Sequence, residues 1–157
     1  MGDTSLRYPY RMYLKLTRLP LGHWLFTRMV CFQAPYFSSI RPLFRDLRPG
    51  SSTVFMGKRR RVQNHIGTVH ALAMGNLCEL AAGLVMEATL PADMRWIPRG
   101  MNIEYLRKAE TDVTATATLP EQTWGAAMDV PVRVSVRDGG GEEVVSATIA
   151  MYVSPKH

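Results

Sequence analysis

The chain has 157 residues, the length of one ordinary domain, which is enough to bury a core without disulfides or a structural metal. Hydrophobic residues make up 46% of it and charged residues 20%, which excludes a disordered or collagen-like protein. Its formal net charge of +6 favours a polyanionic partner such as nucleic acid, an acidic membrane surface or a phosphorylated cofactor. Cys31 and Cys78 do not form the pattern of a secreted disulfide framework, so we interpret both as reduced thiols.

An apolar stretch near the N-terminus, Leu19 to Tyr36, resembles a targeting or membrane segment in length only. His23 and Arg28 interrupt it, and no small-residue cleavage site follows it. We therefore expect neither a signal peptide nor a transmembrane segment, and we predict a cytoplasmic protein.

The first third of the chain is predicted to be helical. From about Leu21 to Leu47 the pattern indicates two short helices, with Pro35 ending the first and Pro49-Gly50 ending the second. This divides the chain into an N-terminal helical extension, residues 1–50, which is not an independent domain, and one domain of residues 51–157.

A strand and a long helix are predicted next. Ser52 to Met56 is a strand of β-favouring residues, and it is followed by a basic cluster of Lys58, Arg59, Arg60 and Arg61. Val69 to Thr89 is the longest run of helix formers without proline, and it is apolar on almost every face. Such a helix is buried, so the rest of the domain must surround it.

Four strands are predicted in the second half, because apolar residues alternate with other residues in four segments. These segments are Met101 to Tyr105, Val113 to Leu119, Val130 to Val136 and Val145 to Val153. Short breaks at residues 109–111 and 138–141 predict two antiparallel hairpins, with a looser link around residues 122–125.

One α+β architecture satisfies this order of elements: a curved antiparallel sheet wrapped around one long central helix, which is the hotdog fold. In this arrangement the sheet buries the helix, and the helix covers the apolar face of each strand. Such an open sheet leaves edge strands that a second copy protects, so we expect a homodimer, with a tetramer left open.

Polar groups converge where the buried helix begins, in the segment from Asn64 through His70 to Ala71. Backbone N–H groups in the first turn of a helix, including that of Ala71, are unpaired and carry partial positive charge. They stabilise an oxygen that becomes negative during acyl transfer, so this segment is a candidate oxyanion hole.

Glu79 is the acidic candidate, nine residues after His70 in the otherwise apolar helix. A buried carboxylate is costly unless it is paired, protonated or facing a site. The helix alone leaves two interpretations equally open, a functional carboxylate or a structural partner of a base such as Arg107. The residues before the helix favour function. Small residues share its stripe and leave space around it: Gly75, Ala82 and Gly83.

The spacing of Asn64, Gly67, His70 and Glu79 resembles that of the hotdog thioesterases of the phenylacetate-pathway type, and more closely a bacterial hotdog family of unknown function. In those thioesterases an Asn precedes a His-Gly pair by six positions, and an acid follows the His by nine. The resemblance covers roughly residues 52–153 and leaves the N-terminal helices outside it.

The resemblance implies roles for these residues. Asn64 would position the water or the thioester, the Ala71 amide with His70 beside it would hold the carbonyl oxygen, and Glu79 would activate water or attack directly. The acid would act across a dimer interface on a substrate held by the partner chain. One departure is Ala71, where the family has Gly, which narrows the approach to the backbone or indicates a member that binds acyl-CoA without cleaving it.

Basic residues are candidates for the phosphates of coenzyme A, since clustered cations near a site favour a polyanionic ligand. We assign this role to Lys58, Arg59, Arg60, Arg107 and Lys108, with a solvated basic edge as the alternative. Nucleic-acid binding is disfavoured because no helix-turn-helix, zinc ligands or stacking motif accompanies the charge. No metal site is predicted, since the histidines and cysteines lack ligand spacing.

The function predicted from these residues is hydrolysis of an acyl-CoA thioester, or of a thioester on another acyl carrier, to the free acid and the thiol. No cofactor is implied beyond coenzyme A as part of the substrate. The alternative is a non-catalytic protein that binds acyl-CoA or acyl lipid in the same cleft. A dehydratase or hydratase is a third possibility, disfavoured because no catalytic His-Asp pair is present.

Overall fold

The structure is a computed structural model, and it describes residues 6–156. The N-terminal third contains helix α1 (Tyr8–Leu16), helix α2 (Gly22–Gln33), a 3-10 helix (Pro35–Ile40) and strand β1 (Leu43–Arg48). Buried aromatic rings join these elements: Phe26 of α2 meets Phe44 of β1 edge to face, with ring centroids 5.4 Å apart.

The remaining elements are strand β2 (Ser51–Met56), a short 3-10 turn (Arg60–Val62), helix α3 (Ala71–Thr89) and four further strands. The strands are β3 (Met94–Tyr105), β4 (Val113–Thr118), β5 (Met128–Asp138) and β6 (Glu143–Pro155). All six strands form one antiparallel sheet in the order β1-β2-β4-β5-β6-β3.

Helix α3 is the core of the molecule, and the sheet curves around it. It begins at the cap residue His70 and ends before Pro91, and all of its residues from Met74 to Cys78 and from Leu80 to Met86 are buried. The helix is long and apolar enough to cross a membrane by composition, but 72% of its apolar window is buried inside the protein. It is a core helix, and the predicted hotdog architecture is confirmed.

Two details of the predicted fold are wrong, and two further features were missed. The second N-terminal helix is a 3-10 helix followed by strand β1, whose buried residues Phe44 and Leu47 face the core. The break at residues 109–111 does not make a hairpin, because β3 pairs with β6 and β4 pairs with β2 and β5. The hairpin of β5 and β6 is confirmed. Helix α1 was not predicted, and β3 begins seven residues earlier than expected, at Met94.

Strand β3 forms one edge of the sheet and is exposed along most of its length. Its inner neighbour is β6, with pairs from Met94↔Pro155 to Tyr105↔Val145, and its other side has no partner among the described residues. Ile97 and Met101 on this strand are 60% and 41% exposed. The strand also contains the charged residues Arg95, Arg99 and Glu104, but its open edge and its exposed apolar residues favour pairing with another strand.

Candidate active site

The segment from Val62 to His70 is a tight loop that delivers the start of α3. The His70 N–H donates to the Val62 carbonyl at 2.7 Å, and the Val69 N–H donates to the Ala109 carbonyl at 2.8 Å. Gly67 lies between them with φ of +79°, in the left-handed region that glycine adopts without strain. The loop is therefore held at both ends.

Asn64 organises this loop with its side chain. Its Oδ1 accepts the N–H groups of Ile66 and Thr68, both at 3.1 Å, and its Nδ2 donates to the Thr68 hydroxyl at 2.8 Å. These contacts explain why Asn occurs here, since its short amide bridges backbone groups two and four residues ahead. In the single chain, the hydrogen bonds of the Asn64 side chain therefore stabilise its own loop.

His70 is the N-cap of α3, because its ring Nδ1 accepts the Leu72 N–H at 3.0 Å. The Met74 N–H is also paired, with the His70 carbonyl at 3.2 Å. No acceptor for the Ala71 N–H lies within residues 6–156. The first turn therefore presents a free Ala71 donor at the positive end of the helix dipole.

An open groove with a volume of about 330 Å³ lies beside this helix start. Tyr105 forms part of its wall and donates its hydroxyl to the Ala71 carbonyl at 3.1 Å. Burial, with a smaller effect from Cys78, raises the pKa of Tyr105 above its ordinary value, so the phenol stays protonated and keeps this bond. The predicted site residues that line the groove are Asn64, Ala71, Arg107 and Lys108.

Glu79 lies in a different place, on the wall of an apolar cavity of about 260 Å³ beneath the N-terminal helices. Its side chain is half-buried and forms no ion pair with the other described residues. Arg107, its conceivable structural partner, pairs instead with Glu142 at 3.6 Å. The lining of the cavity is otherwise mostly apolar and includes Val30, Phe37, Leu80, Leu84 and Trp96.

A second carboxylate lines the same cavity and was missed from the sequence. The Glu87 carboxylate accepts two hydrogen bonds from Arg7, from Nε to Oε2 at 2.6 Å and from Nη2 to Oε1 at 3.0 Å. It also accepts the indole N–H of Trp96 at 2.7 Å. Glu87 lies eight residues after Glu79 on the same helical stripe, and that spacing was the available signal. Its oxygens are occupied, so Glu79 is the available acid.

Within one chain the groove and Glu79 are separated along the helix. Eight residues from Ala71 to Glu79 correspond to about 12 Å at 1.5 Å per residue. A carbonyl group held at the Ala71 N–H is therefore outside the reach of the same chain's Glu79. The predicted site residues therefore lie in two separate places on α3, which we call the two candidate half-sites.

The basic residues are also divided. Arg107 and Lys108 line the groove, whereas Lys58 donates to the Glu110 carbonyl at 2.9 Å and Arg59 to the Ser39 carbonyl at 3.2 Å. Arg60 is exposed on the turn between them and α3. The structure brings two of the five predicted cations to the groove.

Cys78 is adjacent to Glu79 in sequence but not in environment. It is fully buried, and burial raises the pKa of its thiol to about 12. A thiol with that pKa is protonated at neutral pH and is a poor nucleophile. Cys78 is a core residue.

Comparison with known proteins agrees with this architecture. A crystal structure of a structural-genomics target is 43% identical, with a TM-score of 0.83, covering 95% of this chain and 99% of that one. A Pseudomonas aeruginosa protein of unknown function, described as a probable thioesterase, is 20% identical with a TM-score of 0.76, covering 88% and 97%. A hypothetical thioesterase from Streptococcus pneumoniae, solved with coenzyme A, is 18% identical with a TM-score of 0.68, covering 81% and 98%.

Curated proteins gave no match to the sequence. The two thioesterase-like structures are too distant in sequence to show more than the shared hotdog fold. The model of the family described as Domain of unknown function (DUF4442) matches residues 22–153, which includes α2, β1 and both half-sites. The chain therefore belongs to the DUF4442 family and has the hotdog fold.

Proposed function

We propose that the protein is an acyl-CoA thioesterase in which Glu79 is the general base. The observation that carries this proposal is the state of Glu79, a carboxylate without an ion-pair partner in residues 6–156 on the wall of an apolar cavity. A carboxylate in such a place is free to take a proton from water, unlike Glu87, which Arg7 and Trp96 occupy.

The groove at the start of α3 supplies the complementary group. As water adds to the thioester carbonyl carbon and loses its proton to Glu79, the carbonyl oxygen becomes negative and accepts the free Ala71 N–H. The tetrahedral intermediate then expels the thiolate of coenzyme A, which takes the proton from Glu79. The same carboxylate acting as nucleophile, through an anhydride that water cleaves, fits these contacts equally.

Two chains are needed for this reaction. The separation of about 12 Å along α3 prevents Ala71 and Glu79 of one chain from acting on one carbonyl. We propose that two β3 edges pair in a homodimer and bring Glu79 of the partner subunit to the Ala71 groove. The exposed apolar residues of β3 support this arrangement, which gives two equivalent sites per dimer.

The substrate would lie across the two half-sites. We assign the phosphates of coenzyme A to Arg107 and Lys108 at the rim of the groove, because these cations would attract and hydrogen-bond the negative phosphates. The acyl chain would enter the apolar cavity beside the partner subunit's Glu79. The Streptococcus pneumoniae thioesterase of the same fold, solved with coenzyme A, supports this class of substrate.

The experiment is release of free thiol from a panel of short, medium, long and aromatic acyl-CoAs. Glu79→Gln keeps the size of the side chain and removes the base, so turnover is expected to fall by about 10² to 10⁴. The matched control is Glu121→Gln, an exposed acid in the loop between β4 and β5, which is expected to match wild type.

The two outcomes that contradict the proposal are clear. An active Glu79→Gln variant shows that this carboxylate is not the base. A wild-type protein that cleaves no member of the panel, but is thermally stabilised by acyl-CoA, shows the non-catalytic binding function instead.

A further inference from the structure

The outward face of α2 is apolar where a surface helix is normally polar. Helical spacing places Leu21, Leu25 and Arg28 in one exposed stripe, with Trp24 beside it. Leu21 is 77% exposed and Trp24 is 53% exposed, and Leu19 in the preceding turn is 54% exposed. We call Leu19, Leu21, Trp24 and Leu25 the α1–α2 corner.

Cations surround this corner, and acids are absent from the sequence around it. Lys15, Arg18 and Arg28 are exposed beside the apolar residues. Arg28 places its guanidinium carbon 6.0 Å from the centre of the Trp24 ring. The sequence contains no Asp or Glu between Asp3 and Asp46, although it contains seven Lys and Arg residues there. The corner is therefore an apolar patch flanked along the chain by exposed cations.

Leu21 is held outward by an unusual backbone conformation. Its φ of 60° and ψ of 16° are left-handed, a region that a leucine adopts only at a cost. Glycine or asparagine would satisfy this turn without strain. The turn thus has a large apolar side chain at a position where a glycine or an asparagine would give less backbone strain.

We propose that the α1–α2 corner docks the protein on membranes containing anionic lipid. Apolar and aromatic side chains would enter the headgroup boundary, and the surrounding cations would attract the negative surface. A second copy of this chain fits poorly, because two such corners would bring the same cations together. Nucleic acid would leave the leucines exposed to water.

Docking by this corner places the bilayer next to the apolar cavity. The opposite face of α2 contributes Val30 to the cavity wall, so one helix separates the cavity from the proposed membrane surface. The proposal does not require turnover, and its test therefore uses binding alone.

The test is flotation of the full-length protein with vesicles of phosphatidylcholine, alone or mixed with phosphatidylglycerol. We expect binding to the mixed vesicles only, and weaker binding as salt is added. Each surface cation is worth about fivefold in affinity, so Arg18→Gln combined with Arg28→Gln is expected to bind roughly thirtyfold more weakly. The matched control combines Arg133→Gln with Arg137→Gln, two exposed cations on β5.

Leu21→Asn separates docking from folding. Asparagine tolerates the left-handed conformation, so the variant is expected to melt at or above the wild-type temperature while binding vesicles at least tenfold more weakly. Vesicles containing brominated lipid report the contact directly. They are expected to quench part of the tryptophan fluorescence of wild type, and Trp24→Phe should lose that quenching while still floating.

Four results would overturn the proposal. They are no binding of wild type to the anionic vesicles, equal loss in the α1–α2 and β5 charge variants, full binding by Leu21→Asn, and no quenching of Trp24. If RNA but not vesicles binds with the same dependence on Arg18 and Arg28, the corner is a nucleic-acid surface instead.

Discussion

Arg7 and Glu87 are eighty residues apart in sequence, yet their side chains form a two-bond ion pair at 2.6 and 3.0 Å. A third bond, from Arg7 Nη1 to the Met94 carbonyl at 2.6 Å, joins the start of β3 to the same guanidinium. Trp96 completes the cluster through its indole N–H. This cluster fixes the N-terminus of α1 against α3 at one end of the apolar cavity.

Loss of this ion pair is expected to destabilise the fold. Arg7→Ala leaves Glu87 as an uncompensated, largely buried carboxylate, since the two side chains are only 14% and 16% exposed. We expect the free energy of unfolding to fall by about 2–3 kcal/mol in denaturant titrations. Arg48→Ala, which breaks an exposed pair with Asp46, is the control and is expected to cost under about 1 kcal/mol. Equal losses in the two variants would contradict the structural role of Arg7.

The Ala71 N–H can be removed without disturbing the helix. Proline is favoured at the first helical position, and His70 already has the extended φ of −67° and ψ of 138° that a residue before proline requires. Ala71→Pro is expected to keep the wild-type melting temperature and lower kcat by about 10² to 10³, the effect of losing one oxyanion donor. Ala71→Ser retains the N–H and is the control. A fully active proline variant would exclude this donor from catalysis.

Gly83 is expected to set the depth of the apolar cavity proposed to take the acyl chain. A Cβ built on Gly83 lies 3.1 Å from the Trp96 ring, whereas one on Gly75 has no neighbour nearer than 3.9 Å. Gly83→Ala should therefore push Trp96 into the cavity and lower kcat/KM by about tenfold for the longest acyl-CoAs, with short ones unaffected. Gly75→Ala is the matched helix substitution. A uniform loss across chain lengths would show that Gly83 does not limit the acyl chain.

Alkaline pH is expected to weaken the fold through Cys78. Its native pKa of about 12 is above the ordinary value of 9.0, so between these pH values the unfolded thiol ionises while the native one retains its proton. The contribution of this thiol to the free energy of unfolding is fully present below about pH 9. Above that pH the free energy of unfolding falls by about 1.4 kcal/mol per pH unit for one group. Cys78→Ala should reduce that slope in denaturant titrations between pH 8 and 11, and identical slopes would contradict the assignment. Buried Tyr10 and Tyr13, whose pKa values are also raised, act in the same direction in both proteins.

The central elements were predictable because their apolar periods are regular. Helix α3 and strands β4 to β6 each bury an uninterrupted pattern, and the structure has them where the sequence indicates. The edge strands β1 and β3 were harder to predict. In β1, a register shift between Phe44 and Asp46 breaks the alternation of buried and exposed residues. A similar shift between Pro98 and Gly100 hid the first half of β3.

The candidate site was predictable only where it is local in sequence. The spacing from Asn64 to Glu79 identified the loop and the helix, because a short-range sequence pattern is enough to predict each of them. The cavity around Glu79 depends on Val30 and Phe37, which reach α3 through tertiary packing. No periodicity in the chain encodes that contact, and the roles proposed for Asn64, Ala71 and Glu79 stay predictions that the variants above test.

The sheet order has a consequence for how the protein is made. Strand β6 lies between β5 and β3, so β3 leaves the ribosome before β4 and β5 but has its pairing partner only after β6 has been synthesised. Until residues 143–155 are synthesised, one face of α3 lacks its cover and the sheet lacks an entire flank. A truncation that removes β6 should therefore yield an aggregating product rather than a shorter folded protein.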